Sequence, residues 1–199
     1  MLLKRIGLAV LSIFLMSQAW AADEKTAQAP SVAIFAGGCF WCMEPPFDKL
    51  DGVLTTTSGY IGGEASTANY KKVSAGVTRH YEAVKIEYDA SKVSFDTLLA
   101  VFWKNVDPFD NRGQFCDKGD QYLSAIFYLD DDQLASAKVS FEKTQAMLDK
   151  PIVTRIVKAA EFYAAEQYHQ DYYQRNPIRY KFYRRGCGRD KRLEQVWGQ

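Results

Sequence analysis

Gly37-Gly38-Cys39-Phe40-Trp41-Cys42 places a thiol directly after a glycine pair and beside two large aromatic side chains. The glycines let the backbone turn sharply and approach a ligand closely. If a helix starts at this turn, its first unpaired N–H groups favour a thiolate at Cys39 and any oxyanion formed beside it. Such help matters, because an ordinary thiol with a pKa near ~8.5 is only a few per cent ionised at neutral pH. Taken alone, the segment equally allows a buried structural cysteine or half of a local disulfide. Phe40 and Trp41 read either as core or as an apolar socket for a methyl or thioether group.

Glu82 is the second group with chemical potential. In the strand expected over Tyr81 to Tyr88, Glu82, Val84, Ile86 and Tyr88 share one face at period two, with Lys85 and Glu87 on the other. A carboxyl group thus ends an apolar stripe. Burial there disfavours its charged form and raises its pKa, making it a proton donor near neutrality. A Glu at a frayed, solvated strand end is the plainer alternative.

The elements that would position these groups alternate in type. Ser31 to Ala36 reads as a buried strand ending in the glycine pair. Phe40 to Leu50 reads as a helix, with Pro45-Pro46 in its first turn or delaying its start. Val53 to Tyr60 is strand-like, and the Gly59 to Asn69 region is a loop. Ser94 is placed to cap a helix carrying Phe95, Leu98, Leu99, Phe102 and Trp103. Asn105 to Asp120 is a polar loop of a length that suggests function. A strand over Gln121 to Leu129, a helix over Asp131 to Asp149 and a strand within Pro151 to Ala159 follow. Glu161 to Arg175 is expected to be helical, with His169 among tyrosines on a packed or exposed face. Beyond Asn176 the expectation is irregular structure until a turn at Arg192 to Trp197. No repeat or second domain is visible, and the pattern points to a compact α+β domain with a mixed central sheet flanked by helices.

Composition narrows the function classes. With 25 basic and 24 acidic residues, the chain offers no electrostatic footprint for nucleic acid or a charged membrane surface. Aromatic residues make up 14%, more than a small core needs. The first 21 residues have their own logic: two positive charges at Lys4 and Arg5, an apolar run from Ile6 to Met16, and Ala19-Trp20-Ala21 at the usual cleavage positions. That is the layout of a secretory signal peptide, and its apolar run is well short of the roughly 20 residues a spanning helix needs. Residues 1–21 are therefore expected to be a signal peptide cut after Ala21, 22–30 a disordered leader and 31–199 the catalytic domain, located in the periplasm or otherwise exported. Cys39, Cys42, Cys116 and Cys187 all lie in the mature part, but their spacing is not that of a disulfide framework.

The resemblance to a known family is carried by several ordered segments. Gly38-Cys39-Phe40-Trp41, Ser58-Gly59-Tyr60-Ile61-Gly62-Gly63, Asn69-Tyr70, Thr78-Arg79-His80-Tyr81-Glu82, Leu98-Leu99 through Phe102-Trp103, Asp107-Pro108, and Asp117-Lys118-Gly119-Asp120-Gln121-Tyr122 with Ser124-Ala125-Ile126 resemble the blocks of peptide methionine sulfoxide reductases of the A type. The resemblance implies a ferredoxin-like core within the mixed sheet. It implies that Cys39 attacks the sulfoxide sulfur, Glu82 protonates the departing oxygen, and Tyr70 and Tyr122 hydrogen-bond that oxygen. It further implies that Asp117 orients the site, Phe40 and Trp41 hold the methionine methyl group, and Cys187 resolves oxidised Cys39. The implied substrates are methionine (S)-sulfoxide and oxidised proteins. No metal or bound cofactor is implied, only an external thioredoxin-like dithiol or, for an exported protein, a thiol donor relayed through the membrane; the chain is expected to be a monomer. Arg79, Val106, Leu123, Cys42 and Pro45-Pro46 depart from the commonest family pattern, and His80 is expected to be structural.

The residues by themselves leave three candidates for recycling. Cys187 has a basic, glycine-flanked setting, Cys42 is near Cys39 in sequence, and Cys116 adjoins Asp117 and could pass a disulfide outward. Rival readings are a thioredoxin-like exchanger pairing Cys39 with Cys42, a zinc module using all four cysteines, and a non-catalytic domain that binds methionine-rich segments.

Overall fold

The apolar run from Ser31 is buried on both faces, as a central strand requires. In the computed structural model, which describes residues 29–198, this strand is β1 (Ser31–Gly37). Ala33 and Phe35 face one apolar cluster, Ile34 and Ala36 the other. The glycine pair ends β1, and α1 (Phe40–Asp48) starts immediately after Cys39. Pro45 and Pro46 lie inside this helix, in its second turn rather than its first. Each removes one intrahelical donor, from the Trp41 and Cys42 carbonyls, a loss that a nine-residue helix packed against the sheet tolerates.

Next come β2 (Val53–Ile61), the short α2 (Tyr70–Ser74), β3 (Tyr81–Tyr88) and α3 (Phe95–Lys104). Asn69 and Ser94 cap the two helices by accepting from the Lys72 and Thr97 N–H groups. The long polar loop then contains a small hairpin, β4 (Gly113–Gln114) with β5 (Asp117–Lys118). β6 (Ser124–Tyr128), α4 (Asp131–Ala146) and β7 (Arg155–Lys158) follow.

The main sheet has the order β7-β6-β1-β3-β2-β8, where β8 is Phe162–Ala164. Its four inner strands run β6-β1-β3-β2, antiparallel throughout, with α1 and α3 as the crossovers. This is the expected ferredoxin-like core in a mixed sheet, β7 joining β6 in parallel. The Phe35 ring stacks with Phe47, Phe95 and Phe102 at centroid distances of 5.5, 6.0 and 5.1 Å, fastening α1 and α3 to the sheet.

The C-terminal quarter differs from expectation. Glu161 to Arg175 is not one helix: β8 pairs with β2, a 3-10 turn covers Gln167–His169, and Tyr172–Arg175 forms a short helix, α5. The free edge of β2 accounts for this, with Gly59 leaving room for the Phe162 ring and the Tyr163 carbonyl. Nor is the end of the chain irregular. α6 (Pro177–Gly186) and α7 (Arg189–Trp197) are joined at Cys187 and Gly188, the latter at φ +65°. α6 buries no residue fully, so it has no apolar stripe by which to be recognised. α7 anchors by polar bonds instead: Arg192 pairs with Asp107 at 2.6 Å, and Trp197 Nε1 donates to the Val106 carbonyl at 3.0 Å. The expected signal peptide lies outside the described residues, as does the expected leader up to Gln28.

A side chain at position 59 should dislodge β8. A Cβ there would sit 2.4 Å from both Phe162 Cζ and the Tyr163 carbonyl oxygen. Gly59→Ala is expected to lower stability by about 1–3 kcal/mol, as overpacking does. Denaturant unfolding measures this, and an unchanged midpoint would contradict it.

Candidate active site

Cys39, Phe40, Trp41, Tyr70, Glu82, Asp117, Tyr122 and Tyr183 line one cavity of about 70 Å³, room for a group of a few heavy atoms. All eight residues expected at the site are thus in one place except Cys187, which abuts it, and Tyr183 is an addition. Cys39 stands at the N-cap of α1, where the chain leaves β1. Glu82 reaches it from the start of β3, and its Oε2 accepts the Phe40 N–H at 3.2 Å. The carboxyl group is 2% exposed. Burial pushes it up to about 8, outweighing the hydrogen bonds from Phe40 and Tyr122 that stabilise its anion. At neutral pH it therefore holds a proton next to the nucleophile.

The thiols divide differently from expectation. Cys39 and Cys42 are both buried and unbonded. Burial, the hydrogen bond with Cys42 and, when ionised, the Glu82 and Asp117 carboxylates push the Cys39 thiol up. Cys42 is lowered to about 6, chiefly by the hydrogen bond from Cys39, with Arg189 and Arg184 assisting. The helix start alone does not ionise Cys39, because desolvation is the larger effect.

Cys187 is joined to Cys116, with Cα atoms 4.8 Å apart, and not to Cys39. Cys116 is exposed and immediately precedes Asp117; Cys187 closes α6, its N–H donating to the Tyr183 carbonyl at 2.9 Å. The disulfide therefore borders the cavity from two sides. The pairing of Cys39 with Cys42 required by a thioredoxin-like exchanger is not formed. Among the described residues, the donor cluster with metal-ligand spacing is Cys116, Asp117 and Cys187. Its sulfurs are bonded to each other, and Cys39 and Cys42 are not part of it, so the four-cysteine zinc arrangement is not built.

Phe40 and Trp41 form an aromatic wall whose supports lie late in the chain. Trp41 stacks on Tyr172 at 3.7 Å and 7°, and its Nε1 donates to His169 Nδ1 at 3.0 Å. His169 is buried, and burial lowers its pKa, which keeps the accepting ring nitrogen unprotonated. Tyr70 is set by Glu166, which accepts its backbone N–H at 2.9 Å and the Tyr60 hydroxyl at 2.9 Å. Burial raises the pKa of Tyr70 and Tyr122, so both are neutral hydroxyl donors. Asp117 accepts the Tyr183 hydroxyl at 2.5 Å and is held in place by the β4–β5 hairpin. The hairpin is itself fixed by Gln114, which exchanges two 2.8 Å hydrogen bonds with the Asp107 backbone. His80 is structural as expected, accepting from the Gly63 N–H.

Sequence reasoning missed Tyr183, His169 as the Trp41 partner, Tyr172 and Arg189. Tyr183 lies one helical turn before Cys187, a spacing that carries information only once α6 is known to be a helix.

A family model described as peptide methionine sulfoxide reductase matches residues 31–199. A peptide methionine sulfoxide reductase MsrA 2 of Rhizobium meliloti is 45% identical over 189 residues, covering 95% of this chain and 91% of the relative. An MsrA of Bacillus licheniformis is 44% identical over 175 residues, covering 87% and 97%. Among solved structures, reduced Mxr1 from Saccharomyces cerevisiae aligns with a TM-score of 0.72 at 31% identity, covering 75% of this chain and 87% of that one. Methionine sulfoxide reductase A of Corynebacterium diphtheriae aligns with a TM-score of 0.68 at 29% identity, covering 77% and 78%.

The raised carboxyl makes stability depend on pH. A group whose folded pKa lies above its unfolded value favours the fold at low pH and loses that contribution as pH rises towards the folded value. For Glu82 the window runs from the ordinary carboxylate range to about 8. The neutral isostere Glu82→Gln should therefore gain stability relative to wild type between pH 5 and pH 8. Paired melting curves across that range test it; a difference independent of pH would show that Glu82 is not buried as a protonated acid.

Proposed function

The chain belongs to the peptide methionine sulfoxide reductase family, and from that membership we propose how its site reduces methionine (S)-sulfoxide, free and in oxidised proteins, to methionine. Cys39 attacks the sulfoxide sulfur while Glu82 gives its proton to the oxygen. Tyr70 and Tyr122 hydrogen-bond that oxygen more strongly as it gains negative charge, and Phe40 and Trp41 receive the methyl group. The oxygen passes to Cys39, which ends as a sulfenic acid, two electrons more oxidised, and methionine leaves. The observation that carries this reading is a buried, protonated carboxyl bonded to the first N–H of the helix that Cys39 caps.

Recycling follows from the sulfur arrangement. Cys187 attacks the sulfenic sulfur, releasing water and forming a Cys39–Cys187 disulfide. Cys116 then displaces Cys39 from Cys187, which returns the Cys39 thiol and leaves the Cys116–Cys187 disulfide. Free Cys39 and Cys42 beside a Cys116–Cys187 bond match the end of that sequence. The exposure of Cys116 favours reduction by an external thioredoxin-like dithiol, which supplies both electrons. The reading is of a monomer that acts without a bound cofactor. The leader pattern of residues 1–21 supports export to the periplasm, with electrons then reaching the protein through a membrane-relayed thiol donor. Finding the protein in the cytosolic fraction would refute that location.

The test is turnover with stereochemically defined methionine sulfoxide, free and peptide-bound. Wild type should consume only the S epimer, and Cys39→Ser should be inactive. Glu82→Gln should slow the chemical step by roughly 10²–10⁴, the usual effect of losing a general acid. Cys187→Ser should release about one methionine per enzyme and stall, as expected when chemistry and recycling use different thiols. Sustained turnover by that variant would move the resolving role to Cys42 or Cys116.

A further inference from the structure

Arg189 is the largest fully buried side chain among the described residues, at 1% exposure, and the proposed reaction does not use it. Its guanidinium lies beneath the turn that carries Cys39. One Nη2 donates to the carbonyls of Gly37 at 3.3 Å and Asn105 at 2.6 Å and to Met43 Sδ at 3.1 Å. A Cβ on Gly38 would be 3.7 Å from the other terminal nitrogen. The Phe115 ring covers the guanidinium carbon at 4.3 Å. Nε is buried without a hydrogen-bond partner. Among the described residues Arg189 makes no ion pair with a carboxylate.

A buried cation supported only by neutral acceptors is costly unless an anion balances it. The groups that face the thiol pair narrow the choice of anion. Glu82 from β3 holds a proton at neutral pH, and Tyr70, Tyr122, Tyr180 and Tyr183 are neutral. Asp117 accepts the Tyr183 hydroxyl and feels the Arg189 charge, but the two form no ion-pair contact. Arg184, the other cation near the pair, is already paired with Asp190 at 2.6 Å on the outer side of α6. Arg189 alone offers an unspent charge behind Cys39 and Cys42.

We propose that Arg189 is a positioning residue: the fixed counter-charge that holds one thiolate in the Cys39–Cys42 pair and so keeps an acceptor next to Cys39 for its proton. Cys42 is the thiol of the pair that gives up its proton more readily, and as a thiolate it takes the Cys39 proton and leaves Cys39 ionised for attack. The charge reaches the pair from α7, so the helix after the recycling cysteine also tunes the nucleophile. The inference rests on Cys39 being the nucleophile but is read without turnover.

The experiment follows thiolate absorbance near 240 nm from pH 4 to pH 8.5 on protein that keeps the Cys116–Cys187 disulfide, so that only Cys39 and Cys42 contribute. Wild type should show one thiolate with a midpoint near 6. Arg189→Met should move it upward by at least about one pH unit, so that thiolate half-formed in wild type falls to about one-tenth, a roughly fivefold loss. Arg189→Lys, which keeps a charge, should lie between the two. A methionine variant that melts lower but titrates like wild type would reduce Arg189 to packing and overturn the proposal. Should that variant not fold, wild type and Cys42→Ser are compared by melting. A depressed thiol stabilises the fold above its folded pKa and loses this as pH falls. The gap between the two proteins should therefore widen from pH 6 to pH 9, and a constant gap would overturn the proposal. Normal titration without any sulfoxide turnover would instead fault the function assigned to the site and leave Arg189 in its role.

Discussion

The hydrogen bond from the Phe40 N–H to Glu82 Oε2 joins the two halves of the chemistry. It links the first turn of α1 to the start of β3, and it exists because β1 and β3 are neighbours in the sheet. A carboxyl group in that place is excluded from water by the same packing that forms the core. Ionising it would put a negative charge next to a buried sulfur. The fold therefore selects the protonated acid, and the helix N–H orients it rather than ionising it.

The remaining walls of the cavity come from chain segments that contribute little apolar core. α5 supplies Tyr172 under Trp41, the turn before it supplies His169, α6 supplies Tyr183, and α7 supplies Arg189. These contacts are stacking and hydrogen bonding, not aliphatic burial. The C-terminal quarter is thus a lining laid over the ferredoxin-like core. It is held by Arg192 on Asp107, by Trp197 on the Val106 carbonyl and by the Cys116–Cys187 bond. That bond ties down the segment that carries Tyr183 and Arg189, so the disulfide and the site share one piece of structure.

Departures from the commonest family pattern sort by location. Val106 and Leu123 are buried, whereas Arg79 is exposed. Cys42 is the departure with chemical weight: it puts a second sulfur within hydrogen-bonding reach of the first. Pro45 and Pro46 sit in the following turn of the same helix, where they free the backbone carbonyls of Trp41 and Cys42 from their intrahelical donors.

Much was legible before any coordinates. The alternation that marks β3, the Ser94 cap of α3, the glycine turn before Cys39 and the acid at the end of an apolar stripe are local patterns. They are written in spacing because each element must bury one face by itself. The cavity residues carried by those patterns and by the ordered motifs came together as expected. Where meaning depended on partners far along the chain, the reading failed. Phe162 to Ala164 became a strand because β2 had an open edge and Gly59 made room. α6 and α7 are helices without an apolar stripe, held by polar bonds to loops some 85 residues away. The protonation of the two thiols, the partner of Cys187 and the burial of Arg189 depend on desolvation and proximity in space. Neither quantity exists until the chain has folded. Sequence by itself determined the type of fold and singled out Cys39 and Glu82; only the tertiary structure decided which sulfurs are bonded and which buried charge stands behind the free pair.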